Sequence, residues 1–355
     1  MTTILAGDIG GTKTILILVK CALALGDGEI PDYDILHESS YPSQRFPDLV
    51  PMVWEFLTEC EQKYQEKFSP EKACFGIAGP VVNHTSELTN LSWSLTIDRL
   101  QKQLSIPEIE LINDFTAIGH GILGLKPDDL YTLQEAPTDS TAPIAVIGAG
   151  TGLGEGFLIP LGNGNYRVFG SEGSHADFTP RSALEFEMMK YFREKYRLTR
   201  VSIERVVSGQ GIAWIYQFLR DRDRSLESPT LEAIYETWEQ EIGKAEKTVD
   251  LSAEVSKGAI AESDYLCGQA MAIFLENYGV EAGNLSLKLL PYGGLYIAGG
   301  IVAKILPLMQ KEYFMKGFSE KGRMMPLMKR IPVKIVVNPK VGLIGAALCA
   351  AKLGL

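Results

Sequence analysis

Twice along the chain, two short apolar runs flank a tight glycine cluster. Ile4-Leu5-Ala6 and Ile15-Leu16-Ile17-Leu18-Val19 enclose Gly7-Asp8-Ile9-Gly10-Gly11-Thr12-Lys13-Thr14, and Ile144-Ala145-Val146-Ile147 and Gly156-Phe157-Leu158-Ile159 enclose Gly148-Ala149-Gly150-Thr151-Gly152-Leu153-Gly154. Apolar runs of this length bounded by glycine predict strand, tight turn, strand in both places. Further strands are predicted at 33–39, 73–78, 110–112 and 333–337, and a strand-turn-helix unit at 295–301. Helical spacing of apolar positions predicts helices over 48–67, from Asn113-Asp114 to about Gly121, and over 181–196, 202–220, 229–242, 263–290 and 343–353. The polar, turn-rich stretch 127–143 reads as an excursion, and 221–228 as a charged, solvated loop. Alternating strands and helices place the chain in the α/β class.

Glycine in such turns lets the backbone adopt positive φ and removes the Cβ, so several amide N–H groups can converge on one anion. Thr12 and Thr151 add hydroxyl donors at the same places, which makes phosphate binding the first reading of both turns. Ordinary hairpin turns are the alternative for either one alone. Two nucleotide motifs fail on spacing. A Walker loop needs glycine directly before its Lys-Ser/Thr pair, whereas Thr12 precedes Lys13-Thr14. A dinucleotide fingerprint needs a third glycine three residues after Gly150, where Leu153 stands.

At 355 residues the chain exceeds the size over which one core keeps growing, so two domains are expected. The apolar fraction of 46% and the charged fraction of 22% are those of a globular protein. A net charge of -10 without a basic stripe argues against a nucleic-acid partner. No apolar stretch is long enough to span a bilayer, so no membrane partner and a cytoplasmic setting are expected. Five scattered cysteines, with no C-x-x-C pair, read as reduced and buried. Four histidines lack metal-ligand spacing, so no protein-held metal is expected and any metal should arrive with a nucleotide.

Asp114 follows a predicted buried strand, where a carboxylate is placed to act as a general base; it could equally cap the helix that follows. Around it the motifs Gly7 to Thr12, Ile112 to Ala117, Gly148 to Gly154, Glu172 to Phe178, Glu204 to Gly209 and Tyr296 to Ile301 come in an order that resembles the bacterial-type glucokinases of the hexokinase/actin-like ATPase superfamily. The resemblance runs from Gly7 to the last helix. It implies a two-domain actin-like ATPase (ribonuclease H-like) α/β fold with an interdomain cleft, a small domain of residues 1–112 plus 339–355 and a large domain of 113–338. It implies ATP-dependent phosphorylation of glucose to glucose 6-phosphate, with Mg²⁺ carried by ATP, and a homodimer is expected.

Residue by residue, the resemblance makes Asp114 the base and puts Asn113, Asp114, Glu172, His175 and Glu204 on the sugar. Carboxylates that accept two hydroxyls and an imidazole that donates or accepts suit that task. Asn90, ahead of Trp93, is a further candidate. Gly7, Asp8, Ile9, Gly10, Gly11 and Thr12, with Gly150, Thr151 and Gly152, would hold the phosphates, and Gly299 and Gly300 the adenosine. Asp8 resembles the Mg²⁺-side carboxylate, acting through water, with a plain turn aspartate as the alternative. Lys13 reaches a phosphate or stays in solvent, and Gly299-Gly300 admits a ligand or allows close packing. No cysteine-rich zinc motif follows His175 and no helix-turn-helix precedes the first turn, which sets the chain apart from the related repressors. A kinase for another hexose or donor, or a non-catalytic sugar sensor on the same fold, are the competing readings. The segments 22–32 and 221–254 carry no function legible in the sequence.

Overall fold

The computed structural model describes residues 2–21, 33–88, 91–244 and 247–353. By contacts the chain divides into two compact units: Met1–Leu130, Gly156–Gly170 and Asn338–Leu355 form the first, Tyr131–Glu155 and Ser171–Val337 the second. In chain order the first unit carries strands β1 (Thr2–Ile9), β2 (Lys13–Cys21) and β3 (Tyr33–Pro42), helix α1 (Leu49–Tyr64), strands β4 (Lys72–Ile77), β5 (Thr85–Leu88) and β6 (Trp93–Thr96), helix α2 (Ile97–Leu104), strand β7 (Glu108–Asn113) and helix α3 (Asp114–Ile122).

Its main sheet has the order β3-β2-β1-β4-β7. The hairpin pairs β1-β2 and β2-β3 are antiparallel, while β1-β4 and β4-β7 are parallel. Period-two alternation divides the strand residues between two cores. Leu5, Ile9, Leu16 and Leu18 face α1, whose buried Leu49, Val53, Phe56 and Cys60 recur at helical spacing. Ile4, Ala6, Ile17 and Val19 face the C-terminal helix α12 (Val341–Ala351) through Leu343, Ala346, Ala347 and Ala350. That helix also crosses α3 closely: a Cβ on Gly121 would strike Val341 O, and one on Gly345 would strike Ala117 O. This packing groups residues 113–130 with the first unit, past the boundary expected at Ile112.

The second sheet has the order β11-β10-β9-β12-β13-β8, built from β8 (Leu130–Gln134), β9 (Ile144–Ala149), β10 (Leu153–Gly162), β11 (Asn165–Ser171), β12 (Gly294–Ala298) and β13 (Val333–Val336). Strand β12 runs parallel to both β9 and β13. Helices α4 (Ala183–Lys195), α5 (Gly209–Arg222), α6 (Pro229–Gln240), α7 (Leu251–Ile260), α8 (Tyr265–Leu289) and α10 (Glu312–Ser319) belong to the second unit, with the single turns α9 (Leu306–Met309) and α11 (Met325–Met328). Ala145 and Ile147 of β9, Leu295 and Ile297 of β12 and Val333 and Ile335 of β13 share one core with α5 and α8.

Four sequence expectations change. The stretch 127–143 contains β8, an edge strand anchored where Gln134 Nε2 donates to Met328 O and Ile331 O. Residues 202–208 are not α-helical: Ser202 bridges to Asp177, Ile203–Arg205 form a 3₁₀ turn, and Ser208 caps α5 by accepting from Gly211 N (3.0 Å). Glu227, in the loop read as solvated, is buried and pairs with Arg220 Nε at 2.6 Å. After β12 the expected turn is present, with Gly299 at φ +92°, but it is longer than expected, and the next helix, α9, begins only at Leu306. All five cysteines are free and buried, as expected. Asn90 and the segment 22–32 lie outside the described residues.

Candidate active site

In the first unit the glycine turn joins β1 to β2. Gly10 N donates to Lys13 O (3.0 Å), leaving Gly11 half-buried and Thr12 exposed at the tip. Gly7 lies inside β1, and a Cβ there would press on Leu16 and Phe75, so its role in the fold is close packing. The Ile9 side chain is in the core, and its carbonyl accepts from Ala78 N (3.0 Å). Asp8 is a strand residue opposite Ile15 and Gly76, not a turn aspartate. Burial raises its pKa, and exposed Lys13 lowers it.

A residue with no mark in the sequence braces this turn. Ser43, fully buried, donates through Oγ to Gly10 O (2.7 Å), and its N–H donates to Thr12 O (2.9 Å). With its one proton committed, Ser43 Oγ accepts from Thr14 Oγ1 at 2.9 Å. Antiparallel pairing of β2 with β3 brings Ser43 there, because Lys13 lies opposite Pro42.

Asp114 is the first residue of α3, and the cap of that helix is Asn113. Asn113 Oδ1 accepts from Phe115 N (2.9 Å) and Thr116 N (3.4 Å), while its Nδ2 donates to Gly79 O (3.1 Å). Asp114 is thus spared the capping role, though its Oδ1 accepts from Phe115 N (2.9 Å). Burial pushes its pKa up to about 6; the Phe115 hydrogen bond opposes the shift and the charge of Asp8 adds to it. Asp8 and Asp114, on β1 and at the end of β7, therefore form an interacting carboxylate pair.

In the second unit the turn Gly150-Thr151-Gly152 is closed by Gly150 N donating to Gly152 O (2.8 Å). The first residue of α5, Gly209, donates its N–H to Gly150 O (2.9 Å). Glu204 Oε2 accepts from Leu153 N (3.2 Å), and a Cβ on Gly152 would collide with that carboxylate. Thr151 is exposed, and open space lies beside Gly150 and Gly300. Gly299 by contrast packs against Ala149, so the pair divides between close approach and open surface.

Glu172 precedes and His175 ends a 3₁₀ turn, Gly173–His175, with His175 Nε2 and Glu172 Oε2 3.5 Å apart and both side chains mostly exposed. Arg200, unmarked in the sequence, holds this turn by donating to His175 O (2.7 Å) and Asp177 Oδ1 (3.1 Å). The turn's underside rests on Glu155, also unforeseen.

These motifs sit in a chain whose likeness to known proteins extends over its whole length. The sequence model of the family described as Glucokinase matches residues 5–353. The chain belongs to the glucokinase family. A glucokinase of Trichormus variabilis is 58% identical over 353 residues, 99% of this chain and all of that relative. Among solved structures, the glucokinase from an Antarctic psychrotroph superposes with a TM-score of 0.78 at 28% identity, covering 99% of both chains. A ROK family glucokinase from Streptomyces griseus, solved in complex with glucose and AMPPNP, has a TM-score of 0.60 at 17% identity over 98% of this chain and 99% of that one, a likeness of fold. The expected class, an actin-like α/β kinase fold, is the one observed.

Proposed function

We propose a division of labour for the reaction of this family, the ATP-dependent phosphorylation of glucose. Asp114 takes the proton of the glucose 6-hydroxyl as that oxygen bonds to the γ-phosphorus of ATP and the bond to the ADP oxygen breaks. The observation that carries this reading is the Asp114 carboxyl itself: half-buried, within the field of Asp8, freed from capping by Asn113, and with a pKa of about 6. Such a group is ionised at neutral pH and still basic enough to accept a proton.

Asn113, Asp114, Glu172, His175 and Glu204 hydrogen-bond the sugar hydroxyls. The Glu172–His175 proximity supports a shared hydroxyl contact, and Glu204 keeps one oxygen free of its bond to Leu153. The turn Gly10-Gly11-Thr12, set by Gly7, Asp8 and Ile9 of β1, and the turn Gly150-Thr151-Gly152 hold phosphates through backbone N–H groups and the exposed threonines, and the open space at Gly300 suits adenosine. Mg²⁺ fits beside Asp8, a partly exposed carboxylate of the hard oxygen type that this ion prefers, and when bound supplies charge neutralisation on the phosphates. A homodimer and a cytoplasmic setting belong to the same reading; among the described residues no helix is long and apolar enough to cross a membrane.

A coupled ADP-release assay over a panel of hexoses tests these assignments. Asp114→Asn is expected to lower kcat by roughly 10²-fold or more with glucose affinity within about an order of magnitude, and to abolish a rising limb of kcat/KM near pH about 6. Galactose should leave at least one buried partner unpaired, at about 1–3 kcal/mol, so glucose should be preferred by about tenfold or more. Near-normal turnover of Asp114→Asn removes Asp114 from the role of base, and equal kcat/KM for the two sugars removes the proposed sugar contacts.

A further inference from the structure

Glu155 lies in β10, just after the second glycine turn, and is only 1% exposed. Its Oε1 is buried without a hydrogen-bond partner among the described residues. An unpaired buried carboxylate is among the costliest groups a fold can hold, so its presence calls for a physical reason. Its Oε2 lies against Gly173, close enough that any Cβ there would collide with it. Gly173 opens the short turn that carries His175 and follows Glu172. Within the turn, Ser171 Oγ accepts from Gly173 N (3.0 Å), Glu172 O from His175 N (3.0 Å) and Gly173 O from Ala176 N (2.9 Å), while Arg200 holds its far end through His175 O; Glu155 lies beneath Gly173. Glu155 is thus the support beneath the two proposed sugar contacts.

We propose that Glu155 is a positioning residue for the turn Gly173–His175, and that it holds the turn in its glucose-binding form only while its carboxyl carries a proton. The neutral acid packs beneath Gly173 at little cost. The anion draws water, and the thin glycine turn is the cover that must yield to admit it. The charged groups acting on Glu155 come from α8: Glu281 disfavours the anion and Lys288 favours it, burial being the larger cause, and together they raise the pKa to about 7. Lys321 stands beside Glu281 but spends its ammonium on Val280 O (3.0 Å) and Asn284 Oδ1 (2.8 Å). Glu172 and His175 are the titratable groups on the turn itself. The proposal rests on the reading of Glu172 and His175 as sugar ligands.

The test is glucose affinity by titration calorimetry from pH about 5.5 to 8.5, in the intact chain, in Glu155→Gln and in Glu155→Met. Every other titratable group is common to all three, so the ratio of affinities isolates Glu155. Chain and variants should agree near pH 6. Above about 7 the intact chain should weaken relative to both variants, by up to about tenfold per pH unit, while ATP affinity keeps a constant ratio. Met, uncharged and of similar length, keeps the question open to test if the glutamine variant folds poorly. A control, Glu172→Ala, separates the two layers. Unchanged glucose affinity there overturns the sugar-ligand reading and the proposal with it. Weakened affinity there, with a ratio flat in pH for the Glu155 variants, overturns the proposal alone.

Discussion

Asp114 begins a helix, where unpaired N–H groups favour a carboxylate's charge, yet its pKa is raised to about 6. Burial outweighs the hydrogen bond from Phe115, and Asp8 adds repulsion. The same residue type therefore serves as a base because of its surroundings, and those surroundings come from β1, β7 and the capping by Asn113. Ser43 makes the complementary point for positioning. Its hydroxyl joins Gly10 O to Thr14 Oγ1 in a fully buried site, so Ser43→Ala strands two polar groups at about 1–3 kcal/mol each and loosens the first glycine turn. The expected outcome is a raised KM for ATP, with the glucose KM within about twofold of the intact chain, by steady-state kinetics varying each substrate. An unchanged ATP KM would mean that the turn does not depend on this brace for its grip on phosphate. The sequence pointed to Asp114, Glu172, His175 and Glu204 because they fall within recognisable motifs. Ser43, Arg200 and Glu155 were illegible because each acts across a distance in the chain that only strand pairing or turn packing closes.

Helix α3 carries Asp114 at its start, and its position is set by backbone contact with α12. Gly121 and Gly345 are the points of closest approach, each against a carbonyl of the opposite helix. Carbonyls cannot step aside as a flexible side chain can, so Gly345→Ala should force the helices apart and destabilise the first unit by about 1–3 kcal/mol. Thermal melting should register the loss, and kcat should fall as the base moves; a variant with unchanged melting would show that the helices have room to spare. The same device recurs in the second unit, where Gly279 of α8 and Gly317 of α10 each face the other helix's backbone. Element type was readable from periodicity for the long helices and for the glycine-bounded strands. It failed at β8, an edge strand all of whose residues are half-buried and whose short sequence shows no alternation, and at 202–208, where apolar residues at helical spacing accompany a bridge and a 3₁₀ turn instead.

Taken whole, the chain starts and finishes in the same unit. The apolar face formed by Ile4, Ala6, Ile17 and Val19 is covered by α12, which comes more than three hundred residues later. A chain ending at Val337 should therefore expose that face, fail to give a cooperative melting transition for the first unit and lose activity. Circular dichroism and an aggregation assay would measure this, and a soluble, active truncation would overturn the assigned dependence on α12. The sequence by itself determined what is local: the two glycine turns, because glycine's freedom and flanking apolar runs lie within a few residues, the alternation that splits strands between two cores, and the ordered motifs that mark the family. Tertiary structure decided what depends on juxtaposition. The raised pKa values of Asp114 and Glu155, the brace at Ser43 and the support beneath Gly173 arise from desolvation and hydrogen bonds between residues far apart in the chain. Neither kind of contact leaves a pattern in a single sequence, because burial is a property of the packed fold and not of the residue that is buried.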